Sequence, residues 1–334
     1  MHNDGVTSQS SPATDPGAHP LGVLLGFDAS DHSVRALHYA ARAAQRMGCP
    51  LTVVTAYTVP TMAYADAALV PSVPAEVARL AAAQQLLDIA QEHLRGYPGV
   101  LDLRTEHGDA AGVLVGLSAQ AQLAVVGARG QGGFFGRLLG SVSSALPAHA
   151  HCPTVVVPEQ YEIGSGTGAE RFAPLQLDAP VVAGVDLYQL NQPALEHAVV
   201  AARLRKAPLE LLAVMPRPDA WGTAYMAWLP DANILEKHQQ ELAKELEVIV
   251  ESLRTAHPDL TISGTALVAD PAPSLLAATK TAQLTVLGTR GHGRVVSSLL
   301  GSVSRAVLSR AQGPVMVVPP TAPEHSGKDP KHSR

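Results

Sequence analysis

Two cysteines, Cys49 and Cys152, are all that the 334 residues contain. Neither sits in a CxxC or zinc-type spacing, so a disulfide framework and a zinc motif have no support. Both are expected as buried or partly buried thiols in a reducing compartment. Aromatic residues make up only 4% of the chain, so a core must be aliphatic. Basic runs are missing and the net charge is -5, which removes the electrostatic basis for binding nucleic acid or an anionic membrane. No apolar stretch reaches the ~20 residues that span a bilayer. Residues 1–20 are rich in Ser, Asp, His, Gly and Pro and carry no apolar segment, unlike a secretory leader. A cytoplasmic location is therefore expected.

What remains is 46% hydrophobic residues and only 16% charged ones, a composition rich enough for real cores. Val, Leu and Ala suit a parallel sheet covered by helices. At roughly 150 residues per domain the length suggests two domains. Composition marks residues 1–19, the stretch Gly164 to Glu170 (GSGTGAE) and the tail 321–334 as disordered. The middle stretch belongs to an expected flexible linker over 161–178, between domains at 20–160 and 179–320.

The two halves repeat. Residues 127–158 (GARGQGGFFGRLLGSVSSALPAHAHCPTVVVP) align without a gap to 288–319 (GTRGHGRVVSSLLGSVSRAVLSRAQGPVMVVP), with 16 of 32 positions identical. GVLLGFDASDHSVRALHYAARAA near Gly22 matches VVAGVDLYQLNQPALEHAVVAARL at Val181. Chance does not give both matches in the same order, and such repetition is the first thing to look for in a long chain.

Each half alternates strand and helix. In the first, apolar runs predict strands at 22–27, 51–56, 100–105, 123–126 and 154–157. Val34, Leu37, Ala41, Ala44 and Met47 recur at helical spacing. Further helices are expected over 75–95, 111–119 and from Ser141. In the second half, strands are predicted at 181–185, 209–214, 260–266, 284–287 and 315–318, and Pro193 suits a first helical turn. Strands alternating with helices mean βαβ units, a mainly parallel sheet and helices on both faces.

In such doubly wound sheets, ligands bind beyond the carboxyl ends of the strands, where strand order reverses. Two features of each half fall there. One is the acidic residue closing the first strand: Asp28 in GFDAS, after Gly26, and Asp186 in GVDLY, after Gly184. The other is the loop after the fourth strand, with Gly127, Arg129, Gly130, Gly132, Gly133, Gly140 and Ser141. Its second copy holds Gly288, Arg290, Gly291, Gly293, Arg294, Gly301 and Ser302. Glycine permits positive φ and close backbone approach, so successive N–H groups can form an anion nest. The helix opening at Gly-Ser-Val-Ser adds its free N–H groups and dipole. That places Ser141, Val142 and Ser143, with Ser302, Val303 and Ser304, among the candidate phosphate contacts. No Gly-Lys-Ser/Thr follows the glycines, so this is not a Walker loop, and no GxGxxG spacing is present. The loop suits holding a nucleotide better than turning it over.

Bland readings stand beside these. Glycines at βα turns also serve packing. Asp28 and Asp186 are as well suited to capping a helix as to touching a ribose or a metal. His149, His151 and Cys152 (HAHC) hint at a metal, but the other half has RAQG there, and no metal site is expected. The stretch 220–230 (AWGTAYMAWLP) holds both tryptophans and reads as local packing, or as a lid or partner surface. The basic residues near the carboxyl end read as solvated.

At the motifs GARGQGG…LLGSVS and GTRGHGR…LLGSVS the chain resembles the universal stress protein family, in its tandem two-domain form and ATP-binding branch. GFDAS, GVDLY, PTVVVP and PVMVVP agree, and the likeness covers nearly everything but tails and linker. The resemblance implies two five-stranded parallel sheets in the order 3-2-1-4-5, an adenine nucleotide alpha hydrolase-like fold. It implies ATP, with or without Mg2+, at the carboxyl edge. Asp28 and Asp186 would lie at the adenosine end, and Ala56 and Val214 would offer backbone to adenine. The glycines and serines would meet ribose and phosphates. The fifth strands would pair into an internal pseudo-dimer, with a homodimer as a further assembly. The second half departs from the pattern: Leu187 and Tyr188 replace Ala29 and Ser30, and Arg294 replaces Gly133. The expected role is a nucleotide-dependent regulator with a protein partner. A slow ATPase or phosphotransferase and a nucleotide-free scaffold are the rivals.

Overall fold

The computed structural model describes residues 19–59, 75–130, 139–164, 166–175, 178–187, 191–216, 232–289 and 300–320. The first half runs β1 (Val23–Gly26), α1 (Asp31–Met47), β2 (Leu51–Tyr57), α2 (Ala75–His93), β3 (Leu101–His107), α3 (Ala110–Ser118), β4 (Leu123–Gly127), α4 (Ser141–His149) and β5 (Thr154–Val157). The second runs β6 (Val181–Val185), α5 (Gln192–Arg205), β7 (Leu209–Met215), α6 (Ala232–Ala256), β8 (Ile262–Val268), α7 (Pro271–Ala278), β9 (Leu284–Gly288), α8 (Ser302–Leu308) and β10 (Val315–Val318). The strand order is β3-β2-β1-β4-β5-β10-β9-β6-β7-β8. Each half therefore has the order 3-2-1-4-5.

All pairings are parallel except one. β10 runs antiparallel to β5, with Val315 opposite Val156, Met316 opposite Val155 and Val317 opposite Thr154. This seam joins the halves into one ten-stranded sheet, an internal pseudo-dimer. Both strands are buried along their whole length. The pairing also consumes the edges through which two chains would otherwise meet, leaving β3 and β8 as the outer edges.

The strands read as near-continuous apolar runs because both faces are covered. Side chains alternate along a strand, so Val23 and Leu25 enter one core and Leu24 the other. The first core packs α1, α2, α5 and α6 against the sheet, and the second packs the remaining helices. Each core crosses the seam: Val155 and Met316 belong to the first, Val156 and Val315 to the second.

Helix ends follow local chemistry. Ser30 caps α1 by accepting from Ser33 N–H, and Gly48 ends it at φ 63° with its N–H turned back to Ala44 and Gln45. α5 ends in the same way on Lys206 at φ 53°, a conformation that favours glycine. Asp109 and Asp270 cap α3 and α7.

The linker is not a free tether. Gly168–Phe172 forms a 3-10 turn that lies on α1. Phe172 is fully buried, stacked on His38 at 5.6 Å between ring centroids. Arg42 donates to the Tyr161 hydroxyl (2.8 Å) and the Arg171 carbonyl (3.0 Å), and Arg35 donates to the Tyr161 carbonyl (3.0 Å). Composition suggested flexibility, but long-range partners on α1 fix the segment. A further contact ties the halves: Arg205 of α5 donates to the Tyr39 hydroxyl of α1 at 2.8 Å. No described helix is long and apolar enough to cross a membrane. The expected tails and the stretch 220–230 lie outside the described residues, apart from His19 at the edge of the first.

Candidate functional site

Strand order reverses between β1 and β4, and the chain ends of β1, β2 and β4 with the start of α4 converge there. Asp28 follows β1. Its Oδ1 accepts from Ser30 N–H (3.0 Å) and from the Ser30 hydroxyl (2.6 Å). The turn is completed by Ala29 at φ 59°, strained for a residue with a side chain. Of the two readings for Asp28, capping belongs instead to Ser30. The carboxylate orders the turn that carries the cap, and its other oxygen points at Gly130. A methyl group at Gly130 would collide with Asp28 Oδ2.

Gly127 ends β4 against the first turn of α1, where an added Cβ would stand 2.6 Å from the His32 carbonyl. The Gly140 N–H donates to the Ala128 carbonyl (3.1 Å) and closes the loop. Gly140 is also the N-cap of α4 and supplies no side-chain acceptor. The N–H groups of the first turn are therefore left for something outside the helix. Ser141 is exposed at this opening, while Val142 packs on the core.

Ser143 has a structural duty. Its buried hydroxyl donates to the Gly127 carbonyl at 2.6 Å, clamping α4 to the end of β4. Ser304 repeats the clamp on the Gly288 carbonyl at 2.9 Å. This explains part of the repeated Gly-Ser-Val-Ser by folding alone. Gly26 and Gly184 are also packing glycines. A Cβ on Gly26 would meet Leu114 at 2.5 Å, and one on Gly184 would meet Leu287 at 2.7 Å. Ala56 and Val214 lie at the half-buried ends of β2 and β7.

The second half repeats the scaffold with one change. α1 begins three residues after Asp28, but α5 begins only at Gln192, six residues after Asp186. The cap of α5 is Asn191, which accepts from Ala194 N–H at 3.1 Å. Its amide stands over Gly288, where a Cβ would strike it. The cavity lined by Asp186, Asn191 and Gly288 measures only about 30 Å³. Val303 packs on the core and Ser302 is exposed, as in the first half. The Gly301 N–H donates to the Thr289 carbonyl at 2.8 Å. Gly132, Gly133, Arg290, Gly291, Gly293, Arg294 and Tyr188 lie outside the described residues.

Arg129 has a place of its own. It lines a cavity of about 520 Å³ at the junction of the halves, with His32, Ala128, Leu139, Glu159 and residues after α8. Burial lowers the His32 pKa below its usual value, helped by Arg129 and opposed by Glu159. Cys152 is buried, which pushes its thiol up to about 12, and burial raises Cys49 as well. Such thiols are poor nucleophiles. His149 and His151 are exposed, and no group of three or more metal-ligating side chains occurs among the described residues.

The tandem organisation and the fold agree with comparisons to known proteins. The universal stress protein family profile matches residues 22–158 and 179–319. Universal stress protein Rv2623 of Mycobacterium tuberculosis is 31% identical over 304 residues, covering 90% of this chain and 97% of that relative. Rv1996 of the same organism is 31% identical over 313 residues, covering 89% and 94%. A universal stress protein from Archaeoglobus fulgidus shares the fold with a TM-score of 0.62 at 19% identity, over 90% of this chain and 96% of that one. Two matched repeats, each contributing five strands in the order 3-2-1-4-5, and relatives aligned over nearly their whole length leave one conclusion: the chain belongs to the universal stress protein family.

Proposed function

We propose that the chain binds ATP in its first half and acts as a cytoplasmic, nucleotide-dependent regulator of stress response or growth. The observation that carries this reading is the uncapped start of α4, set in a closed glycine loop beside the Asp28 carboxylate. Phosphates suit the N–H groups of Ser141 to Ser143. Gly127 and Gly130 allow the backbone to come close, and the Ser141 hydroxyl adds a donor. Ribose suits the Asp28 side, and adenine suits the backbone at Ala56. Asp28 is the single carboxylate named for this site, so a Mg2+ ion arriving with the nucleotide would be held mainly by phosphate oxygens and water.

Holding fits better than hydrolysis. Asp28 Oδ1 is engaged with Ser30, which suits it to orientation rather than to taking a proton from water. The second half is proposed as the weaker site, because Asn191 occupies the space above Gly288.

The test is direct. Purified protein is denatured, the supernatant assayed for adenine nucleotide, and nucleotide-free protein titrated with ATP. We expect close to one tight ATP per chain, lost in Gly130→Ala, where the new methyl group displaces the Asp28 carboxylate. Absence of bound nucleotide together with no ATP binding overturns the reading. Multiple-turnover release of ADP that Gly130→Ala abolishes would make the protein an enzyme instead.

A further inference from the structure

The cavity at the junction of the halves does not coincide with the proposed nucleotide site. Asp28, Gly130, Gly140 and Ser141 do not line it. It lies at the seam, where β10 runs antiparallel to β5. That arrangement brings the carboxyl end of β5 beside the chain that links α8 to β10. His32, Arg129 and Glu159 face the cavity from the first half, and Arg310 and Gln312 face it from the second.

Its chemistry is unusual for a gap between packed units. Arg129 and Arg310 both line it, and neither guanidinium has a hydrogen bond or salt bridge among the described residues. The same holds for Glu159. His32 Nδ1 is buried with no partner among the described residues. A buried ring nitrogen is usually paired, so the His32 atom is the one that points to a ligand, while the exposed Arg310 and Glu159 are free to turn toward it. At about 520 Å³ the cavity is in the range of metabolite sites.

We propose that this junction is a second small-molecule site, one that takes a phosphate monoester of metabolite size. The two guanidiniums supply charge and donors for the phosphate. Glu159 accepts from a hydroxyl of the ligand, and the Gln160 and Gln312 amides complete its polar contacts. A ligand there would tie Arg129 and Leu139, which wall the glycine loop, to Arg310 and Gln312 of the other half.

The test uses the full chain, freed of nucleotide, titrated calorimetrically with glycerol 3-phosphate at constant ionic strength. Saturable binding at one site per chain is expected. Arg310→Gln weakens it at least tenfold. Arg305→Gln, an exposed arginine of α8 absent from the cavity lining, stays within twofold. Gly130→Ala, which disables the proposed ATP site, keeps the affinity, so this site and the ATP reading fail independently. Arg310 is exposed, and an unchanged melting temperature confirms that its variant is folded. No saturable binding, or unchanged affinity in Arg310→Gln, overturns the proposal. Binding lost in Gly130→Ala but kept in Arg310→Gln overturns it too, by placing the phosphate in the glycine loop.

Discussion

Acidification should loosen the linker from the first half through one side chain. His38 is completely buried in α1, stacked on Phe172 and edge-on to His93. Its Nε2 lies 3.1 Å from Arg171 Nη2. A guanidinium can only donate, so Nε2 accepts and the imidazole is neutral. A proton on Nε2 would face that donor, far from water. Burial, then Arg171, Arg42 and His93, depress the His38 pKa from 6.5 to about 3. The unfolded chain therefore takes up a proton between pH 6.5 and 3 that the folded chain refuses. Stability is full above the unfolded pKa and falls as pH drops toward the folded one. Each pH unit in that window costs about 1.4 kcal/mol, so roughly 2 kcal/mol is lost by pH 5.

The perturbation is His38→Gln, which keeps an acceptor for Arg171 but does not titrate. Urea unfolding of both proteins at pH 7, 6 and 5 gives the slopes. Carboxylates and the other histidines contribute to both and cancel in the difference. The native protein should lose about 2 kcal/mol more than the variant between pH 7 and 5. The amide protection factors of residues 166–175, corrected for the intrinsic pH dependence of exchange, should fall over the same range in the native protein alone. Parallel pH dependence of the two proteins would refute the reasoning, because it would mean that His38 is not held neutral.

Two further substitutions probe the scaffold. Ser143→Ala removes the clamp on the Gly127 carbonyl and should destabilise by about 1–2 kcal/mol in urea unfolding, with weaker ATP binding as the loop spreads. Lys206→Gly relieves the positive φ at the end of α5 without losing a buried contact, since Lys206 is exposed. It should raise stability by roughly 0.5–1 kcal/mol, seen as a higher melting temperature.

Much of this architecture was legible in the sequence because local pattern and burial coincide. The run at Thr154–Val157 is a strand buried on both faces, and it reads as one. Alternation of strand and helix, with two matched glycine loops, gave the sheet type and the repeat. Edges were harder. β3 extends to His107 although it turns polar, because its backbone pairs with β2 as far as Tyr57. The linker was misread because GSGTGAE is locally flexible, while its anchors lie more than a hundred residues away on α1. Phe172, a large apolar residue beside a polar stretch, was the available signal. The exchange of roles between Asp28 and Ser30, and the clamps made by Ser143 and Ser304, depend on side-chain direction, which spacing does not encode. The junction cavity arises from residues of both halves and has no local signature.

The two halves share a scaffold, and among the described residues they differ beside the first strand by one turn of helix. α1 reaches back to Asp31, so its cap at Ser30 lies within reach of Asp28, and the carboxylate, the cap and Gly130 form one unit. α5 starts later, and the first candidate to fill the vacated space is its own cap, Asn191, over Gly288. The clamps on β4 and β9 are the same in both halves, so the folding role of the motif is retained twice. The second half also supports the first: β10 completes the sheet, Arg205 reaches Tyr39, and Arg310 lines one cavity with Arg129. A repeat that keeps its folding contacts can serve as a support, and the antiparallel seam is what joins that support to the first half.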